Sequence, residues 1–283
     1  MYLILFIIFR IFSNPIANVI QKKLSVANSS LVINFYSYLI MSLFCFPFCF
    51  QFFSNSYEFQ FWFFVFLAGL LCALGTACQI KAVSIGELSI LGPINSYKSV
   101  VGLLASLFLL KEIPSFLGIL GIVLIIFGSR YIFASTQEGF SFKLLKRKDI
   151  QLRLLALLLT GIEAAILKKI IILSSVEMCF VMWCFTGLFW SLIFVLISKK
   201  SFKVSNNNVF VQILFIAILL SIMQYSTNYV FERMNVGYAL ALFQLSSLVT
   251  VLLGYKIFNE KDILNKIFGS IVMIVGSILI ILH

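Results

Sequence analysis

Three ionisable side chains, Arg10, Lys98 and Glu163, stand inside stretches that are otherwise apolar. On insertion scales a charged group at bilayer depth costs about 2.5–3.5 kcal/mol, so each is a functional hypothesis by default. A cation held there can bind an anionic group of a solute. A carboxyl held there can take up and release a proton in response to a neighbouring cation, which makes Glu163 the candidate for proton coupling. Catalysis has no comparable set. No aspartate falls in an apolar segment, the single histidine is His283, and the six cysteines (Cys45, Cys49, Cys72, Cys78, Cys179, Cys184) sit in apolar runs without C-x-x-C spacing. That pattern argues against an enzyme, a metal site, a disulfide scaffold or any cofactor. The absence of a G-x-x-x-x-G-K-[ST] run argues against direct use of ATP.

The polar residues near these three groups are spaced as helix faces. Arg10, Asn14, Asn18 and Gln21 recur at steps of four, four and three, which places them on one side of a helix. We expect that side to face a cavity, the alternative being a polar seam between packed helices. Pro15 removes a backbone donor there and is a candidate hinge. Lys98 lies in the run Pro93 to Ser99, the most polar stretch inside any apolar segment, with Asn95 and Tyr97 beside it. Gly92 and Pro93 are expected to break the helix, leaving half-helix ends near the midplane that can hold charge. Lys98 could bind an anionic group or pair with Glu163 as a gate. Gln224 and Asn228, four apart, and Gln244 complete the candidate set, with Asn34, Tyr38, Thr76, Gln79 and Tyr225 as further lining of an aromatic-walled polar cavity.

The elements that must hold these side chains follow from composition. Hydrophobic residues are 62% of 283 positions and charged residues 11%, far from the roughly 45–50% and about 25% of a soluble domain. A helix crosses a bilayer with about 20 apolar residues. Apolar segments fall at about 1–21, 31–52, 60–80, 88–110, 114–133, 152–173, 177–198, 209–231, 236–257 and 264–282. Irregular backbone cannot face lipid, so the expected fold is all-α, a polytopic membrane protein of ten transmembrane helices. The first segment lacks a basic leader and a cleavage site and is expected to stay.

The net charge of +11 belongs to the helix ends, where lysine and arginine meet anionic headgroups, and implies no nucleic acid. Lys22, Lys81, Arg130, Arg153, Lys200, Lys256, Lys266 and their neighbours all fall in odd-numbered connections. By the positive-inside rule those connections are cytoplasmic and both termini lie outside.

The two halves echo each other. Glu112, Gly121, Gly128 and Ser129 recur with identical spacing as Glu260, Gly269, Gly276 and Ser277, and the run Asn14 to Lys23 sets against Thr160 to Lys169. The expected organisation is a five-helix repeat at 1–133, a basic linker at 134–150 and a second repeat at 151–283. Five is odd, so the second copy enters from the opposite face and the repeats are inverted, with a solute site near midplane between them. Lys22 and Lys168 hold matched repeat positions. They are either snorkelling lysines or a charge pair at the cavity mouth. Glu112 and Glu260 are expected to anchor turns at helix N-termini.

The stretches Ala82-Val83-Ser84 through Leu91-Gly92-Pro93-Ile94 and Leu110-Lys111-Glu112 to Gly128-Ser129, with Val236-Gly237-Tyr238 through Glu260 to Gly276-Ser277, resemble the ten-helix EamA-type members of the drug/metabolite transporter superfamily. The resemblance covers essentially the whole chain. It implies a basket of two inverted repeats in a bacterial inner membrane that moves metabolites, amino acids or drugs by alternating access, commonly outward, with proton coupling or exchange. An uptake antiporter of a charged metabolite and a lipid-carrier flippase are the alternatives. Ten helices suffice to enclose a pathway in a monomer, and a dimer stays open. Two features depart from the family. Its usual tryptophan near the start of the first helix is replaced by Ser13-Asn14-Pro15, and its termini are generally drawn as cytoplasmic.

Overall fold

The computed structural model describes residues 2–52, 57–98, 100–101, 116–134, 142–203, 207–234 and 236–281. Glu112, Lys111 and His283 lie outside the described residues, as does the side chain of Cys49. Among those described, every regular element is helical: α1 Tyr2–Leu24, α2 Ser30–Phe52, α3 Phe59–Ile85, α4 Leu88–Ile94, α5 Phe116–Phe133, a short 3₁₀ turn Phe142–Lys146, α6 Lys148–Leu173, α7 Val176–Ile197, α8 Asn207–Arg233, α9 Val236–Phe243, α10 Ser246–Phe258 and α11 Ile263–Ile281.

Seven helical stretches are long and apolar enough to cross a membrane unaided. The other three spans have evident reasons to fall short. The sixth, α6, carries Asp149, Arg153, Glu163, Lys168 and Lys169; the tenth, α11, has a shorter apolar run; the fourth is described only in part. Exposed phenylalanines such as Phe63, Phe66, Phe127, Phe189 and Phe215 ring the outside of the bundle, where lipid replaces water.

The second, fourth and fifth spans pack antiparallel on their equivalents in the other half, while the first packs on the eighth and the third on the sixth, an exchange that inverted repeats also satisfy. In the fifth and tenth, a Cβ on Gly128 would lie 2.8 Å from the Gly269 carbonyl, and one on Gly276 would lie 2.6 Å from the Gly121 carbonyl. Numbers rise along one helix as they fall along the other. The second and seventh spans do the same, with Tyr38 against Gly187 and Cys45 against Cys184. So do the fourth and ninth, with Gly92 against Thr250 and the Ser89 amide against Gly254. The protein is therefore an all-α membrane protein of ten spans in two inverted five-helix repeats.

Two sequence expectations change in detail. Pro15 does not interrupt α1, which runs unbroken through it; residues flanking the proline are packed, with Ser13 and Ala17 buried. The break at Gly92-Pro93 exists, but it opens no half-helix end. Asn95, Ser96 and Lys98 donate their amides to carbonyls three residues back, at 2.9–3.0 Å, so the chain tightens into a 3₁₀ turn and continues. The ninth span carries the same turn without proline or glycine. Gln244, Leu245, Ser247 and Leu248 make three-residue bonds between α9 and α10. Repeat symmetry thus imposes the turn at both sites, and Pro93 only favours it at one.

Candidate functional site

The first-helix face predicted from spacing points inward. Arg10 donates Nε to Thr227 Oγ1 of α8 at 2.9 Å, and its guanidinium lies 4.9 Å from the Phe243 ring, at the end of α9. One turn on, Asn14 is half-buried. Asn18 is buried and accepts Gln79 Nε2 of α3 at 2.8 Å, and Gln21 is buried with neither amide atom bonded among the described residues. The face joins α1 to α3 and α8, so it is shared between the two halves.

Lys98 follows the 3₁₀ turn of the fourth span. Its stem packs over Gly161 of α6, where a Cβ would stand 3.6 Å from Lys98 Cγ. Glycine at 161 lets the lysine reach across α6 toward Glu163. The two do not form a direct ion pair, contrary to the gate reading. Lys98 instead sits in a shared field whose strongest contributor is Glu163, followed by Arg10 and Arg153. Glu163 is buried and accepts the indole N–H of Trp183 on α7 at 2.9 Å. Beside that pair Trp183 packs on Tyr38, whose hydroxyl meets Cys72 Sγ at 2.9 Å.

The remaining candidates divide. Gln224 donates to Asn228 Oδ1 at 2.9 Å, and Gln244 is 1% exposed with both amide atoms unbonded. Thr227 and Phe243, the partners of Arg10, are the sequence neighbours of Asn228 and Gln244. Tyr97 turns away. Its hydroxyl donates to Ser129 Oγ of α5 at 2.8 Å, a packing contact in the shell. Asn95 is half-buried at the turn itself. A crevice between α3, α6 and α7, too narrow for water, is lined by Val65, Ala68, Leu167, Ile170, Cys179, Met182 and Trp183. The polar candidates do not line it.

A second cluster closes one end of the bundle. Glu260, in the turn before α11, accepts the amides of Leu88 and Ser89 at 2.9 and 2.8 Å and pairs with Lys22 Nζ at 3.0 Å. Lys22 also donates to the Gly86 carbonyl at 2.8 Å. Lys266, 1% exposed, pairs with Glu87 at 2.7 Å and donates to Ser89 Oγ at 2.8 Å. Glu260 does anchor a helix N-terminus, as expected, but that of α4 in the other repeat and not its own. Although burial works the other way, the Ser89 bonds and Lys22 hold its carboxyl below the usual range. Both ion pairs of this latch join one repeat to the other.

The EamA-like transporter family model matches residues 1–134 and 148–282. The chain belongs to the EamA-like transporter family. It is thus a multi-pass integral membrane transporter of the drug/metabolite transporter superfamily, a family of transporters and not of enzymes. A solved crystal structure, described only as that of a protein, shares the fold at a TM-score of 0.63 with 12% identity, covering 96% of this chain and 95% of that one. No curated protein matches the sequence.

Membership accounts for the glycine signature on physical grounds. Gly121, Gly128, Gly269 and Gly276 let the fifth and tenth helices touch backbone to backbone, and Ser129 and Ser277 return their hydroxyls to their own helices at Ile126 and Met273. The EamA signature thus lies in the scaffold, away from Arg10, Lys98 and Glu163.

Sequence reasoning assigned some residues to the wrong place. Arg153 and Lys266 count as loop cations in the charge tally, yet both are buried, Arg153 donating Nε to the Leu91 carbonyl at 2.9 Å. Lys22 and Lys168 are not a pair. Lys22 belongs to the latch, whereas Lys168 caps the Phe231 and Glu232 carbonyls at the other end of the bundle. Trp183 carried no signal beyond being one of three tryptophans, because its role depends on a carboxylate twenty residues away on the preceding helix.

Proposed function

We propose that the chain is a secondary active carrier of small metabolites, amino acids or drugs, exporting them by alternating access in a bacterial inner membrane with coupling to protons or to exchange. The supporting observation is a set of buried polar atoms without partners among the described residues, on α1, α8 and the two 3₁₀ turns: Arg10 Nη1, Gln21, Ser96 Oγ, Asn228 Nδ2, Gln244 and Ser247 Oγ. Leaving such a group unsatisfied in an apolar interior costs about 1–3 kcal/mol each on mutational scales. A scaffold does not gain from that many; a pathway that admits water and solute in another conformation does. In this reading Arg10, Asn14, Asn18, Lys98, Glu163, Gln224, Asn228 and Gln244 contact solute, Asn95 and Tyr97 set the turn, and Arg153 and Trp183 hold the site in shape.

The 3₁₀ turns of the fourth and ninth spans are the hinges, because a tightened turn exchanges for α-helix at small cost in hydrogen bonds. The repeats divide at the 134–150 linker, odd connections face the cytoplasm, and a monomer suffices. Purified protein in liposomes holding a pH-sensitive dye, challenged with amino acids, nucleotides and cationic drugs, tests the reading. Solute flux that acidifies or alkalinises the lumen supports proton coupling, flux blind to a pH gradient supports exchange, and no flux of any solute sinks the carrier.

A further inference from the structure

Resting on the carrier reading, we infer that the solute carries an anionic group, a carboxylate or a phosphate, which is held between Lys98 and Arg10. The interior of the bundle is unbalanced. Among the described residues, the charged groups that bear on Lys98 are two further cations, Arg10 and Arg153, and one carboxylate, Glu163. Glu163 is already engaged by Trp183 at 2.9 Å, and Arg153 has its Nε on the Leu91 carbonyl. The other two cations are under-used. Lys98 donates its ammonium to no acceptor among the described residues and makes no ion pair, while Arg10 keeps a buried Nη1 without a partner.

The unpaired neutral atoms fit the same occupant. Ser96 Oγ, Gln244 Nε2 and Ser247 Oγ at the two 3₁₀ turns, and Asn228 Nδ2 one residue beyond Thr227 on α8, are buried donors without partners among the described residues. An unpaired guanidinium nitrogen, an unpaired ammonium and neutral donors suit a planar or tetrahedral oxyanion, which accepts at several oxygens. A cationic solute would add charge beside Lys98, where Arg10 and Arg153 already outnumber Glu163. The ladder also runs toward the latch. Arg153 stands ten residues, about 15 Å, nearer than Glu163 to the end of α6 whose Asp149 meets Gly86, so an anion entering at that end meets Arg153, then Lys98, then Arg10.

The test reads the preference of the site without knowing the solute. Ser96→Cys places a thiol two residues from Lys98, and its reaction in intact vesicles is compared between the anionic sulfonatoethyl and the cationic trimethylammonioethyl methanethiosulfonates, each rate normalised to that with mercaptoethanol. The expected result is at least a tenfold preference for the anionic reagent, which falls toward unity in Lys98→Met and in Arg10→Gln but survives in Lys98→Arg. The conservative variant separates lost charge from lost fold. Equal rates, or a preference for the cationic reagent, overturn the anion assignment and leave the carrier standing. Modification by neither reagent from either face of the membrane overturns both.

Discussion

Replacing Glu260 by glutamine removes the charge on which the latch converges while keeping the shape of the side chain. The native carboxylate accepts two backbone amides, at 2.9 and 2.8 Å, and the Lys22 ammonium at 3.0 Å, with Lys22 and Glu260 side chains only 15% and 5% exposed. Bonds to a charged acceptor contribute about 1.5–3 kcal/mol each and neutral ones about 0.5–1.5. Glutamine keeps one acceptor, turns the other into a donor facing Lys22 or an α4 amide, and so forfeits about 3 kcal/mol. Lys22 is partly compensated by the Gly86 carbonyl and by the Phe258 ring 4.5 Å from its Nζ. A 3 kcal/mol loss shifts the closed-to-open ratio at this end roughly 150-fold. Hydrogen exchange of purified protein reads that directly, because the Leu88 and Ser89 amides are protected through Glu260, and the peptide covering them should exchange about a hundredfold faster in Glu260→Gln. The sign of the pH dependence follows. The folded carboxyl is depressed below its ordinary value of 4.5, so its contribution is intact above that value and is lost only as pH falls further, through the folded-state value. Native protection should therefore be flat from about pH 5 to 8 once intrinsic exchange is corrected. Unchanged protection in Glu260→Gln, or native protection that collapses near neutrality, would refute the account of the latch.

Other outcomes follow from the same contacts. Gly254→Ala, whose Cβ would lie 2.5 Å from Glu260 Oε2, should loosen the α4 amides as Glu260→Gln does without altering any charge, measured by the same exchange. Gly269→Ala should destabilise the fifth-to-tenth contact by about 1–3 kcal/mol, since the new methyl would stand 2.6 Å from the Gly128 carbonyl, and a lower melting temperature of the detergent-purified protein checks it. Glu163→Gln should retain a Trp183 partner and a normal melting temperature yet abolish dependence of flux on a pH gradient; unchanged dependence would remove Glu163 from coupling. Arg10→Lys should cut flux more than tenfold at normal protein yield, because an ammonium cannot span Thr227 and the space beside Phe243 together.

Much of the site was legible as composition and little of it as geometry. Arg10, Lys98 and Glu163 announce themselves because a charge in an apolar run is costly wherever the helix packs. The inward face of Arg10, Asn14, Asn18 and Gln21 is likewise readable, since helical spacing is a local property. What Glu163 bonds, and whether it meets Lys98 directly, depends on the crossing of α6 with α7 and with the fourth span, which no local pattern encodes. Arg153 and Lys266 show the converse error. Near a segment end a cation reads as a headgroup contact, and only packing reveals that a neighbouring helix has buried it against a carbonyl or a carboxylate.

The sequence alone determined that this is a membrane protein of ten helices built from a duplicated five-helix unit, because apolar length and odd parity leave a chain in a bilayer few other arrangements. Only the tertiary structure decided how the copies interlock: glycine on glycine between the fifth and tenth spans, matched 3₁₀ turns in the fourth and ninth, and Glu260 capping a helix of the opposite repeat. The glycine and Glu260 contacts join residues more than a hundred positions apart. Their energies arise from backbone approach and charge placement across the two-fold arrangement, and such terms exist only once both halves are in place.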